Sequence, residues 1–157
     1  MNKWIEILNT NSFLNAKKYI KSGADLDEAN ENGESVLACA IRSRCDLELI
    51  MLLIESGADI ADFDDEGVSI FDMAITYDNI TLVKYMISQG IDVNSTNRRS
   101  GFTPLMAAAS YGRVEIVKIL LNEGVDESKV ESKGLTASDF ARKMNKKSVL
   151  KLLNIES

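Results

Sequence analysis

Gly101-Phe102-Thr103-Pro104-Leu105-Met106-Ala107-Ala108-Ala109-Ser110-Tyr111-Gly112-Arg113-Val114-Glu115-Ile116-Val117-Lys118-Ile119-Leu120-Leu121-Asn122-Glu123-Gly124 reads as two helices between three glycines. Thr103-Pro104 is a helix start: the Thr hydroxyl can cap free amides, and Pro at the first helical position has no amide to satisfy. The small residues Ala107, Ala108 and Ala109 permit close packing, and Tyr111-Gly112 ends the first helix. The second, Val114 to Leu121, is apolar on more than one face, as expected of an element set between neighbours, and stops at Gly124 in a left-handed cap. The next ten or so residues hold turn formers and are expected to project as an extended finger.

Outward from this stretch the pattern recurs. Gly33, Gly67, Gly101 and Gly134 are spaced by 34, 34 and 33 residues. A second series, Gly23, Gly57, Gly90 and Gly124, runs in phase and is followed two positions later by Asp25, Asp59, Asp92 and Asp126. Such a period marks stacked supersecondary units, each too small to bury its apolar face alone. One extra residue is expected near Arg42 to Asp46, and another in the finger from Ser95 to Ser100, because the spacings there lengthen by one.

The segments Gly101-Phe102-Thr103-Pro104-Leu105-Met106-Ala107-Ala108 and Gly57-Ala58-Asp59 resemble the ankyrin repeat, whose signature is Thr-Pro-Leu-His-x-Ala. Ser35-Val36-Leu37-Ala38, Ser69-Ile70-Phe71-Asp72 and Thr136-Ala137-Ser138-Asp139 occupy the same slot in the other copies. The signature His is replaced by Ala38, Asp72, Met106 and Asp139; Ser69 with Asp72, and Thr136 with Asp139, instead form a Ser/Thr-x-x-acid capping box. The resemblance implies an all-α solenoid of stacked helix-turn-helix units with β-turn fingers. Residues 1–157 are expected to form one ankyrin-repeat domain, with an N-terminal capping unit at 1–32, internal repeats at 33–66, 67–100 and 101–133, and a C-terminal capping repeat at 134–157.

Composition narrows the chemistry. The 157 residues are 45% hydrophobic and 27% charged, a globular balance rather than a disordered one. Eighteen Lys and Arg against 24 Asp and Glu give a net charge of −6, which repels a phosphate backbone, so nucleic acid is not an expected partner. With no His there is no Ser-His or Cys-His pair and no usual zinc set, so no enzyme activity, metal or resident cofactor is expected. Cys39, on the buried side of a first helix, and Cys45, in a short loop, are expected to be inert thiols with no neighbouring cation, in a reducing cytoplasm. Met51, Met73, Met86 and Met106 are expected as core filler. The N-terminus lacks the apolar run of a signal peptide, and the longest apolar stretch, Leu47 to Ile54, contains Glu48 and is too short to span a membrane.

The resemblance implies a protein-binding scaffold that acts as an adaptor or modulator, a monomer contacting its partner through finger tips and the concave side of the first helices. Carried over by register, the candidate contacts are Glu34, Phe63, Asp65, Glu66, Val68, Arg99 and Phe102 on the fingers, and Thr76, Tyr77, Ser110 and Tyr111 at the first-helix ends. Tyr77 and Tyr111 are expected as a paired aromatic platform, since Tyr buries much area at small entropic cost. Packing beneath adjacent fingers is the other use of such rings. Asp62, Asp64, Asp65 and Glu66 suggest a partner with a basic patch, or a solvated face, with Asp64 in a turn position commonly acidic in the family. Arg98 and Arg99 reverse the sign on the lengthened finger. The alternative implied by family analogy is a haem or small-ligand carrier serving a haem enzyme, with Tyr77 or Tyr111 as the ligand.

Overall fold

The computed structural model describes residues 1–153, which hold ten helices and no named strand. Two compact units divide the chain, one spanning Met1–Asp65 and the other beginning at Glu66.

The first unit contains α1 (Asn2–Asn9), α2 (Phe13–Lys21), α3 (Val36–Arg42) and α4 (Leu47–Glu55), with α1 packed on α2 and α3, and α4 on α2 and α3. Trp4 is its anchor: the indole is fully buried, lies 4.8 Å from the Tyr19 ring and donates to the Asp25 carbonyl at 3.2 Å. A buried indole needs such an acceptor, because leaving its N–H unpaired would cost a desolvation penalty of about 1–3 kcal/mol.

The second unit repeats a helix pair three times: α5 (Ile70–Thr76) with α6 (Ile80–Ser88), α7 (Pro104–Ser110) with α8 (Val114–Asn122), and α9 (Ala137–Lys143) with α10 (Lys147–Leu152). The signature slot explains where each first helix starts. Ser69, Thr103 and Thr136 are extended residues whose hydroxyls accept from the amides of Asp72, Met106 and Asp139; Ser35 does the same for Ala38 in the first unit. Asp72 and Asp139 reach back to the Ser69 and Thr136 amides and complete the expected capping boxes. α8 ends as its glycine requires: the Gly124 amide donates to Leu121 and the Val125 amide to Leu120, a left-handed closure with Gly124 at φ +76°.

The core follows the periodicity. Leu105, Ala108, Ile116, Val117 and Leu120 are all buried, and complete burial of each large aliphatic side chain contributes about 1.5–3 kcal/mol. Met73, Met86 and Met106 are buried as expected, while Met51 is half-buried. The extra residue near Arg42 falls in the α3–α4 link, which runs Ser43 to Asp46 where the α5–α6 link runs only Tyr77 to Asn79. Within each unit the fingers are tied to one another. The Asp65 amide donates to the Asn32 carbonyl at 3.2 Å, and the Ser132 amide to the Ser100 carbonyl at 2.7 Å.

Candidate functional site

In the second unit the first helices end in a ladder of side chains: Tyr77, Tyr111 and Met144 are the C-terminal caps of α5, α7 and α9. α7 packs against both α5 and α9, so these caps occupy matching places on adjoining helices. Tyr111 is 51% exposed and Met144 52%, whereas Tyr77 is half-buried. The two tyrosines are therefore not the equally exposed pair that the register suggested, and Thr76 and Ser110 are half-buried too. A residue that the sequence reading passed over links the two helix ends. Arg113 donates from Nη2 to the Thr76 carbonyl, and its guanidinium lies 5.6 Å from the centre of the Tyr111 ring. One cation thus closes an orphan carbonyl of α5 and holds the face of Tyr111. The Ser110 hydroxyl beside it is buried and has no hydrogen-bond partner among the described residues.

The finger residues of this unit divide by burial. Arg99 and Glu66 are exposed and Val68 is half-buried. Phe102 meets Phe140 edge-on at 5.1 Å and carries the Arg98 guanidinium 4.9 Å above its ring, so it packs as scaffold under the finger. Arg98 does not offer a free positive charge at the surface, as its place beside Arg99 implied: its Nε lies 3.5 Å from Oδ2 of Asp72, a carboxylate that is 2% exposed. Burial raises the Asp72 carboxyl above its usual range, and the Arg98 charge and the hydrogen bonds with Ser69 only partly offset this.

In the first unit Phe63 is 50% exposed and Asp65 is exposed, while Asp62 and Asp64 are half-buried. Glu34 corrects its expected place on a finger tip. It is buried, its Oε1 accepts from Asn30 Nδ2 at 2.8 Å, and the Arg42 guanidinium lies 2.8 Å away. Asn30 in turn accepts from the amides of Asn32 and Glu34, so Glu34 is held within the base of its own finger. Glu131 plays the turn-closing part in the second unit, accepting from the amides of Lys133 and Leu135.

Both cysteines are buried with raised thiol pKa values. Cys39 does have a cation beside it, contrary to expectation: Arg42 Nη2 lies 3.7 Å from Sγ. Desolvation nevertheless dominates, with Glu34 adding to it, and the thiol stays protonated. Cys45 is raised mainly by burial and donates to the Leu8 carbonyl at 3.3 Å. Among the described residues no cluster of His, Cys, Asp and Glu could hold a metal ion, and no helix is long and apolar enough to cross a membrane.

Comparison with known proteins accords with this geometry. A family model described as ankyrin repeats in three copies matches residues 7–97, and a second, described as ankyrin repeats in many copies, matches residues 86–141. The nuclear factor NF-kappa-B p105 subunit of Gallus gallus is 32% identical over 91 residues, which is 57% of this chain. The matched stretch is 9% of that protein's length.

Proposed function

This chain belongs to the ankyrin-repeat family, whose members generally mediate protein–protein interaction, and on that premise we propose that it is a non-catalytic adaptor or modulator. In this reading the second unit presents its first-helix ends to a protein partner, with Tyr111 at the centre. One observation carries it: Tyr111 is half-exposed at the end of α7 and is held from one side by Arg113, itself tied to the Thr76 carbonyl. A large amphipathic ring fixed before its partner arrives spares ordering entropy on binding. Scaffold packing alone gives no reason to leave half of such a ring in water.

Thr76, Tyr77 and Ser110 border that position, and Arg99 is an exposed cation of the fingers in this unit. Phe102 and Glu34 leave the contact set, because each is engaged within the fold. Phe63 and Asp65 form an acidic and aromatic tip in the first unit, suited to a basic patch on the partner. A reducing cytoplasm suits the two buried thiols.

Isolating the partner from the native source with the full chain as bait, then titrating it against Tyr111→Ala and Arg113→Ala, tests the proposal. Loss of about 2 kcal/mol or more in the Tyr111 variant, mostly in the dissociation rate and with the melting transition retained, is the expected result. Wild-type affinity in both variants would remove the site.

A further inference from the structure

Between Phe140 and Leu153 the chain carries Arg142, Lys143, Lys146, Lys147 and Lys151 and no carboxylate, in a protein whose net charge is −6. Helix chemistry accounts for only part of this. Arg142 and Lys143 lie in the last turn of α9, where the helix dipole favours cations, and Arg142 is paired with Asp139 at 3.4 Å. Lys146 and Lys147 stand at the opposite kind of end, the N-cap and first residue of α10, where the dipole disfavours them. Lys143, Lys146 and Lys147 have no ion pair among the described residues.

Two of the basic side chains are brought to Tyr111 by the repeat itself. The N-cap slot of the second helix is Arg113 in α8 and Lys146 in α10. Arg113 lies over the Tyr111 ring, and the Lys146 stem crosses Gly112, the residue after Tyr111, so closely that a methyl group there would sit 2.9 Å from Lys146 Cδ. Met144, half-exposed, caps the helix packed next to α7, and Lys143 precedes it. The result is two half-exposed apolar side chains, Tyr111 and Met144, at matching ends of adjoining helices, with Arg113 and Lys146 at Tyr111 and Lys143 next to Met144 in the chain.

We infer that this surface takes an acidic segment of the partner protein, an apolar side chain seated on Tyr111 and Met144 and flanked by carboxylates that face Arg113, Lys143 and Lys146. This rests on the interaction-module reading and adds the chemistry of the partner. Charge complementarity selects acid, and the exposed apolar pair favours a peptide, whose side chains alternate in character, over a uniformly hydrated phosphate backbone.

The test uses the full chain and a fluorescein-labelled Glu/Asp peptide with a central Leu-Phe pair, beside a Lys peptide with the same centre and a single-stranded DNA. The variants are Tyr111→Ala and the double change Lys143→Glu with Lys146→Met, the latter keeping the stem over Gly112 while removing its charge; thermal melts establish that each is folded. The expected result is binding of the acidic peptide alone, weakened by salt, and about tenfold weaker in either variant. Failure of the wild type to bind the acidic peptide, equal binding of the Lys peptide, tighter binding of the DNA, or unchanged affinity in the lysine variant would each overturn the inference. The native partner separates the two proposals. If it depends on Tyr111 but not on Lys143 and Lys146, the module reading stands and the acidic segment falls; if it depends on none of them, both fall.

Discussion

The Arg98 guanidinium lies 3.5 Å from the Asp72 carboxylate, so of the two arginines on the lengthened finger of the second unit one is held in a largely buried ion pair while Arg99 stays exposed. Asp72 is also the acid of a capping box, and its Oδ1 is buried without a hydrogen-bond partner among the described residues. A carboxylate in that position is held by its neighbours at the cost of its solvation.

The two capping-box acids should therefore respond to pH in opposite senses. Burial, the leading cause, raises Asp72, so its contribution to stability is full below the ordinary carboxyl range near pH 4 and declines as pH rises through the higher native value. Hydrogen bonds with Thr136, the leading cause, lower Asp139, so its contribution is present above about pH 4 and is lost as pH falls through the lower native value. Urea unfolding across a pH series is expected to show a shallower decline above pH 4 in Asp72→Asn, and a smaller acid loss below it in Asp139→Asn. Curves parallel to wild type would contradict both assignments.

Gly67 and Gly134 share φ +81° but not surroundings. A methyl group on Gly67 would sit 2.1 Å from the Asn97 carbonyl oxygen, whereas one on Gly134 meets nothing within 4 Å among the described residues. Gly134→Ala is expected to cost only the left-handed backbone penalty, about 1–2 kcal/mol. Gly67→Ala adds overpacking of about 1–3 kcal/mol. Equal losses by denaturant titration would show that the fingers of this unit are not held in contact.

α9 packs on α7, and α10 on α8. Deleting residues 134–157 uncovers those helices, and the expected outcome is aggregation rather than a modest fall in the melting temperature. A soluble truncated chain with a cooperative transition would refute this dependence.

The exposed acids Asp65 and Glu66 give a kinetic prediction. Changing both to Lys is expected to slow association with a partner that bears a basic patch and to flatten its salt dependence, with thermal stability nearly unchanged. Unaltered association kinetics would reduce the acidic run to a solvated surface.

The repeat was legible because its determinants are local. The Ser/Thr caps and the apolar faces each act within about a dozen residues, and the glycines repeat them every 33 or 34. The side chains that shape the candidate site were harder to place, because their partners lie far along the chain. Arg113 acts on Thr76, 37 positions earlier, and Arg98 on Asp72. Glu34 was misplaced for a different reason: its position beside Gly33 suggests a tip, but the side chain turns back to Asn30 and Arg42. The register did hold one unused signal, the basic N-cap slot of Arg113 and Lys146. Comparing equivalent slots by charge as well as by ring would have found it.

With Tyr111 proposed as the energetic centre of a protein-binding surface, the decisive quantity is the affinity of the native partner for Tyr111→Ala, measured beside Tyr111→Phe. The expected outcome is a loss of about 2 kcal/mol or more for Ala, carried by faster dissociation, and largely retained binding for Phe, which keeps the ring and its stacking against Arg113. Wild-type affinity and dissociation rate in a folded Tyr111→Ala protein would contradict it.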